Sequence, residues 1–198
     1  MGYAFAVHLA GMTALLRFLR WFARVADAIV DTVGRIGAWL VLFVVVALFG
    51  QLPLREWVGA GHILANDYGQ IAHAAVFMIG VAYAMRWDGH VRLDVLYQRM
   101  SRRTRLLVDL AGTMFFVVPW IGIVLWFSWA TTVRSVAVFE KFPETWSPGY
   151  WLFKVLLLVF GVLVSLQALG HIARDVASLV DGGPETDAAP SPAAGATP

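Results

Sequence analysis

Charged side chains punctuate this chain and leave four long apolar runs between them. The first run is Ile36 to Leu52, between Arg35 and Arg55. The second is Tyr68 to Met85, bounded by Asp67 and Arg86, and the third is Leu110 to Val133, bounded by Asp109 and Arg134. The fourth is Val155 to Ala173, bounded by Lys154 and Arg174. At 1.5 Å per residue, about 20 helical residues cross the roughly 30 Å of bilayer hydrocarbon. Each run is near that length. The first two are at the short end, where local thinning or shielding by a partner makes up the difference. An unpaired backbone amide in lipid costs several kcal/mol, so the runs must be helical. The pattern predicts an all-α integral membrane protein with transmembrane helices over 36–52, 68–85, 110–133 and 155–173.

Two polar stretches carry a helical period of their own. Arg17, Arg20, Arg24, Asp27, Asp31 and Arg35 recur in steps of three and four, with Phe18, Phe22, Val25, Ile29 and Val33 on the other side. Residues 1–35 are therefore expected to form an N-terminal amphipathic, interfacial helix leading into the first span. A cytoplasmic extension packed on a partner fits the same pattern. Met1 to Leu16 is apolar but has neither a basic start nor a cleavage site, so no signal peptide is read there. Between spans two and three, HVRLDVLYQRMSRRTR, His90 to Arg105, places Leu93, Leu96, Tyr97 and Met100 on one stripe. Most of the remaining arc is basic. That predicts a second amphipathic helix at the membrane surface, with a solvated linker as the plainer alternative. The chain thus divides into a segment 1–35, a membrane domain 36–175, and a mostly disordered cytoplasmic tail 176–198, which is poor in bulky apolar residues.

Composition narrows the class. Hydrophobic residues make up 60% of the 198 positions and charged ones 14%, against about a quarter charged in soluble domains. With no cysteine, disulfides, thiolate chemistry and cysteine metal sites are excluded. The net charge is only +2 and the arginines sit beside membrane spans, so membrane lipid is an expected partner and nucleic acid is not. Eleven Lys and Arg lie on the side of both termini and the 86–109 loop, and four on the other. The positive-inside rule then places both termini in the cytoplasm. Trp57, Trp129, Trp146 and Trp151 mark the outer boundary and Trp87 the inner one.

The chemistry is sparse. The four runs contain no Asp, Glu, Lys or Arg, although proton and ion pathways normally mark themselves with such groups. His73 and His171 are the histidines near or within spans, and the helical rise separates them by roughly 16 Å in depth, too far to share one haem iron. No metal spacing, phosphate loop or nucleophile elbow is present, so neither a cofactor nor enzymatic activity is expected. Pro119 and Gly122 predict a kink in span three. Gly80 with Ala84, and Gly161 with Ser165, are small-residue pairs at helix-packing spacing, and Gln167 can hydrogen-bond across helices. These features suit packing within the bundle or onto another protein. The aromatic 134–154 loop, broken by Pro143 and Pro148, suits either a protein docking surface or a loop resting on the membrane.

The run from Asn66 to Trp120 carries a resemblance. Its centre, GVAYAMRWDGHVRLDVLYQRMS, resembles the small permease subunit of TRAP transporters, the DctQ-like family. In that family span two ends in small residues and an H-[VI]-R-[VL]-D element follows, matched here by His90, Val91, Arg92, Leu93 and Asp94. An arginine-rich step and a span with a proline, here Pro119, come next. Lys154 opening span four and Gln167 within it continue the likeness. At the mouth of span two many members of the family have a Gln-Glu or Glu-Glu pair; Asn66-Asp67 keeps one acid. The N-terminal extension and the Pro/Ala tail fall outside the pattern.

The resemblance implies a scaffold subunit in the bacterial inner membrane. Its partners would be a large DctM-like permease and a periplasmic DctP-like binding protein, in a sodium-coupled importer of an organic acid. It makes Asp67, His90, Arg92, Asp94, Pro119, Lys154 and Gln167 structural or partner-interface residues. The rival expectations are a membrane anchor of a respiratory oxidoreductase and a self-contained small channel or carrier.

Overall fold

The computed structural model describes residues 2–58, 63–87 and 100–181. Helix α1 is Gly2–Val58 and α2 is Ile63–Arg86. Helix α3, Arg102–Gly112, passes through a π-helical turn, Thr113–Val117, into α4, Val118–Ala137. Helix α5 is Trp151–Asp181. Four helical stretches are long and apolar enough to cross a membrane, the third being Arg102–Ala137 taken together. Among the described residues the one β feature is an isolated antiparallel bridge, Lys141 to Pro148. The protein is an all-α, four-span membrane protein.

Every apolar run lies within a longer helical stretch that takes in its bounding charged residues, and only α2 stops at one of them, Arg86. Backbone pairing does not stop at a charge, and the headgroup region accommodates charged helix. The extreme case is α1, whose 57 residues extend about 85 Å, nearly three times the hydrocarbon thickness. No break separates residues 2–35 from the first span. Helix α5 likewise continues to Asp181, past the tail boundary expected at 175. Most of the amphipathic segment expected over 90–105, including His90, Arg92 and Asp94, lies outside the described residues. Its last part does not: Ser101 caps α3 by accepting from the Thr104 amide, and Arg102 to Arg105 form the first turn of the third membrane-crossing stretch.

The kink expected at Pro119 takes the form of the π turn just before it. Proline has no amide hydrogen, and its ring would strike the carbonyl four residues back. A wider turn relieves that clash. The Val118 amide accordingly reaches back to the Thr113 carbonyl, five residues away.

Small side chains set the packing. Along α1, Ala23, Ala26, Val30, Gly34 and Gly37 are buried on one side. This side runs antiparallel to both α2 and α5. A Cβ on Gly34 would overlap the Tyr83 ring of α2, and one on Gly37 would lie 2.7 Å from Ile79 Cγ2. Gly170 of α5 fits against Ala26 and Ala23. Helix α4 packs on the far side of α5, where Gly161 meets Leu125 and Ile121. Val30, Ala82, Ile121, Leu163 and Val164 form the shared core. The large side chains point the other way: Trp39, Phe49, Phe115, Phe116 and Trp126 are exposed, Trp126 by 80%. Lipid is their solvent, so bulky apolar groups face out and small ones face in.

Candidate functional site

Two belts of polar side chains hold the ends of the bundle. Asp67 and Arg86 lie about 28 Å apart along α2, and Lys154 and Arg174 about 30 Å apart along α5. Both separations match the hydrocarbon thickness.

The inner belt begins on α1. Asp27 accepts a hydrogen bond from Gln167 Nε2 at 3.0 Å through Oδ1, and one from Arg174 Nη1 at 2.6 Å through Oδ2. One turn on, Asp31 accepts from Arg35 Nε at 2.9 Å and pairs with Arg86 at the end of α2. Arg20 pairs with Asp181 at the end of α5. His171 Nε2 donates to the Met85 carbonyl at 3.1 Å, joining α5 to α2. Adjacent carboxylates on α1 therefore grip different helices, Asp27 on α5 and Asp31 on α2.

Gln167, expected to bond across helices, does so and is fully buried. Asp27, Asp31, Arg86 and Arg174 had no such role in the sequence reading. The acidic residues lay among arginines and read as one polar face. Their signal was the line of Ala23, Ala26 and Val30 beside them, which marks a packed side.

The outer belt folds the connection between α4 and α5. Asp67 is 3% exposed and accepts from Thr145 Oγ1 at 2.5 Å. Tyr68 donates its hydroxyl hydrogen to the Pro148 carbonyl at 3.3 Å. Glu140 pairs with Lys154 and accepts from Ser135. Thr132 Oγ1 donates to the Lys154 carbonyl at 3.1 Å. Phe142 is buried against Tyr150 and Phe153, and its amide donates to the Ser147 carbonyl at 2.9 Å. Phe139 and Trp146 remain exposed. Both hold positive φ, 45° and 55°, an uncommon conformation for bulky residues that the surrounding bonds must maintain. The loop is thus a folded cap whose aromatics divide between its interior and its surface. Of the residues singled out in the sequence, Asp67 and Lys154 fall in this belt and Gln167 in the inner one. Pro119 sits between them beside the π turn.

The Lys154 ammonium, and then the Ser135 hydroxyl, hold the Glu140 carboxyl below its ordinary value of 4.5. A carboxylate lowered on folding stabilises the fold above its unfolded pKa, and that contribution disappears as pH falls through the folded value. The substitution Glu140→Gln is therefore expected to lower the melting temperature in detergent at pH 7, by an amount that shrinks as the pH is taken down through the acid range. Melts of both proteins across a series of pH values from 7 downward check this.

The polar side chains of the two belts are bonded to one another. Among the described residues there is no cluster of metal-ligand type. His73 is exposed on α2 with Phe77 as its ring neighbour, while His171 bonds to the Met85 carbonyl. What this arrangement does chemically is fasten helices.

Comparison with known families agrees with that character. The family model for tripartite ATP-independent periplasmic transporters, DctQ component, matches residues 44–178. The chain belongs to the DctQ family. It is a multi-pass membrane component of a TRAP transporter, which is a transport role and not an enzymatic one, and the match gives no support to a respiratory anchor. No curated protein and no solved structure gave a match. The matched span contains Asp67, His90, Arg92, Asp94, Pro119, Lys154 and Gln167. Asp27 and Asp31 precede it, although their partners Arg86, Gln167 and Arg174 lie within it. In this DctQ chain the N-terminal helix is bonded into the family's bundle.

Proposed function

We propose that this DctQ component is the static brace of a sodium-coupled, binding-protein-dependent importer of an organic acid in a bacterial inner membrane. The observation that carries this reading is the placement of charge. Acids and bases gather at the two ends, where they join helices, and the runs between Arg35 and Arg55, Asp67 and Arg86, Asp109 and Arg134, and Lys154 and Arg174 hold none. Such an interior offers no charged group to a moving solute or ion. Coupling and substrate sites then belong to a large DctM-like permease, and capture to a periplasmic DctP-like protein. The excess of Lys and Arg near both termini favours a cytoplasmic location for them.

His90, Arg92 and Asp94 suit this role as cytoplasmic fastening groups. Replacing Arg92 or Asp94 with alanine is expected to reduce recovery of the assembled transporter or its transport rate. The binding protein's substrate affinity should be unchanged. Affinity purification of the tagged chain from cells expressing all components tests the reading: a large permease should co-purify in fixed ratio. Recovery of the chain alone, with transport intact in its absence, would contradict it.

A further inference from the structure

Helix α1 keeps one side turned outward through the first span and past the inner belt. Phe43, Trp39, Ile36, Ile29, Trp21 and Phe18 are all exposed. With 3.6 residues per turn, these six fall within an arc of about 90°. Ala23, Ala26, Val30, Gly34 and Gly37 occupy the opposite side, against the bundle.

Within the span the outward side faces lipid, and it stays apolar where the span ends. Phe18 lies about 27 Å along the helix from Ile36 and about 14 Å past Asp27. Phe18 and Trp21 are 57% and 54% exposed, with ring centroids 6.1 Å apart.

Positive charge borders this part of the stripe. Arg17 and Arg24, about 10 Å apart on one edge of it, are exposed with Trp21 between them. Arg20, Arg35, Arg86 and Arg174 each meet a carboxylate. Arg17 and Arg24 meet none among the described residues, and Arg24 Nε donates to the Arg20 carbonyl at 3.3 Å. Each guanidinium therefore keeps N–H donors for an anion outside the chain.

Whatever covers this face must be apolar along one strip and anionic along the next. An acidic phospholipid brings acyl chains and phosphate in one molecule. A second copy of this chain does not, because the acids nearest this face, Asp27 and Asp31, are already bonded to arginines.

We propose that the outward face of α1 from Arg17 to Ile29 binds acidic phospholipid of the leaflet beside the inner belt. Arg17 and Arg24 hold headgroup phosphates, and acyl chains lie along Phe18, Trp21 and Ile29. The contact continues the lipid-facing side of the first span. It requires α1 to leave the membrane inclined, since an upright helix would carry Phe18 out of the lipid. These residues precede residue 44, where the match to the family begins, and the inference does not depend on the brace reading.

Because the chain has no cysteine, a nitroxide can be attached at one introduced site at a time. The full chain carries it at Phe18→Cys, Trp21→Cys, Phe43→Cys or Glu144→Cys, in proteoliposomes of phosphatidylcholine with or without phosphatidylglycerol. Collisions with oxygen report lipid, and collisions with a water-soluble nickel chelate report water. With phosphatidylglycerol present, positions 18 and 21 are expected to match position 43 in the span, not the exposed position 144 of the outer cap. Combining Arg17→Gln with Arg24→Gln should raise nickel access at 18 and 21 about threefold or more. Position 43 should be unchanged, which shows that the bundle still inserts. The proposal is overturned if positions 18 and 21 are as open to nickel as 144, or if neither phosphatidylglycerol nor the two arginines alter them. Spin–spin broadening between copies at these positions would also overturn it.

Discussion

Replacing Asp27 with alanine is expected to destabilise the bundle by about 2–4 kcal/mol in detergent micelles. The substitution leaves the Arg174 guanidinium and the Gln167 amide without their shared acceptor. Breaking a fully buried ion pair from one side costs about 3–5 kcal/mol. The side chains of Arg174 and Asp27 retain 33% and 24% of their exposure, so water recovers part of that loss. Gln167 is completely buried and recovers none. Asp27→Asn keeps an acceptor for Gln167 but removes the charge facing Arg174, and its loss should be intermediate. A double-mutant cycle with Arg174→Ala separates the two bonds. Equal stability of the chain and both Asp27 variants would show that the inner belt does not hold α1.

The second large effect is expected at Gly34. A β-branched side chain there must displace the Tyr83 ring, because even a single Cβ overlaps it. Overpacking of this kind costs about 1–3 kcal/mol. It acts where α1 and α2 are in direct contact, one turn from the Asp31–Arg86 pair. Gly34→Val is therefore expected to weaken that pair as well as the contact itself. The same substitution at Gly80 has open space around it, so the isolated chain should tolerate it. Thermal unfolding of the two variants side by side checks the contrast. A Gly34→Val protein as stable as Gly80→Val would mean that α1 and α2 do not pack as described.

Much of this architecture was legible in the residues, for a reason particular to lipid. A backbone without water must stay helical, so an uninterrupted apolar run announces a span, and the four runs lie in four helical stretches long enough to cross a membrane. The true helix lengths were not legible, because backbone pairing continues through charged residues. That is how α1 passes Asp27, Asp31 and Arg35 without a turn.

The role of those acids was hidden for a related reason. A polar face has the same period whether it meets water or a partner helix. Only the neighbouring Ala23, Ala26, Val30, Gly34 and Gly37 distinguished the two cases. Gly80-Ala84 and Gly161-Ser165 likewise share one spacing, and only the fold shows Leu125 against Gly161 and nothing against Gly80. Asp67 and Lys154 were picked out by likeness to a family, yet their contacts with Thr145 and Glu140 depend on how the loop folds back.

The account as a whole requires that the four apolar runs, which hold no charged group, leave this chain unable to energise transport. Uptake into sealed proteoliposomes under an inward sodium gradient measures that directly. With the complete set of components, an organic acid should accumulate against its gradient. Vesicles holding this polypeptide as their sole protein should show no more than the leak of empty ones, and sodium-driven accumulation in those vesicles would contradict the account.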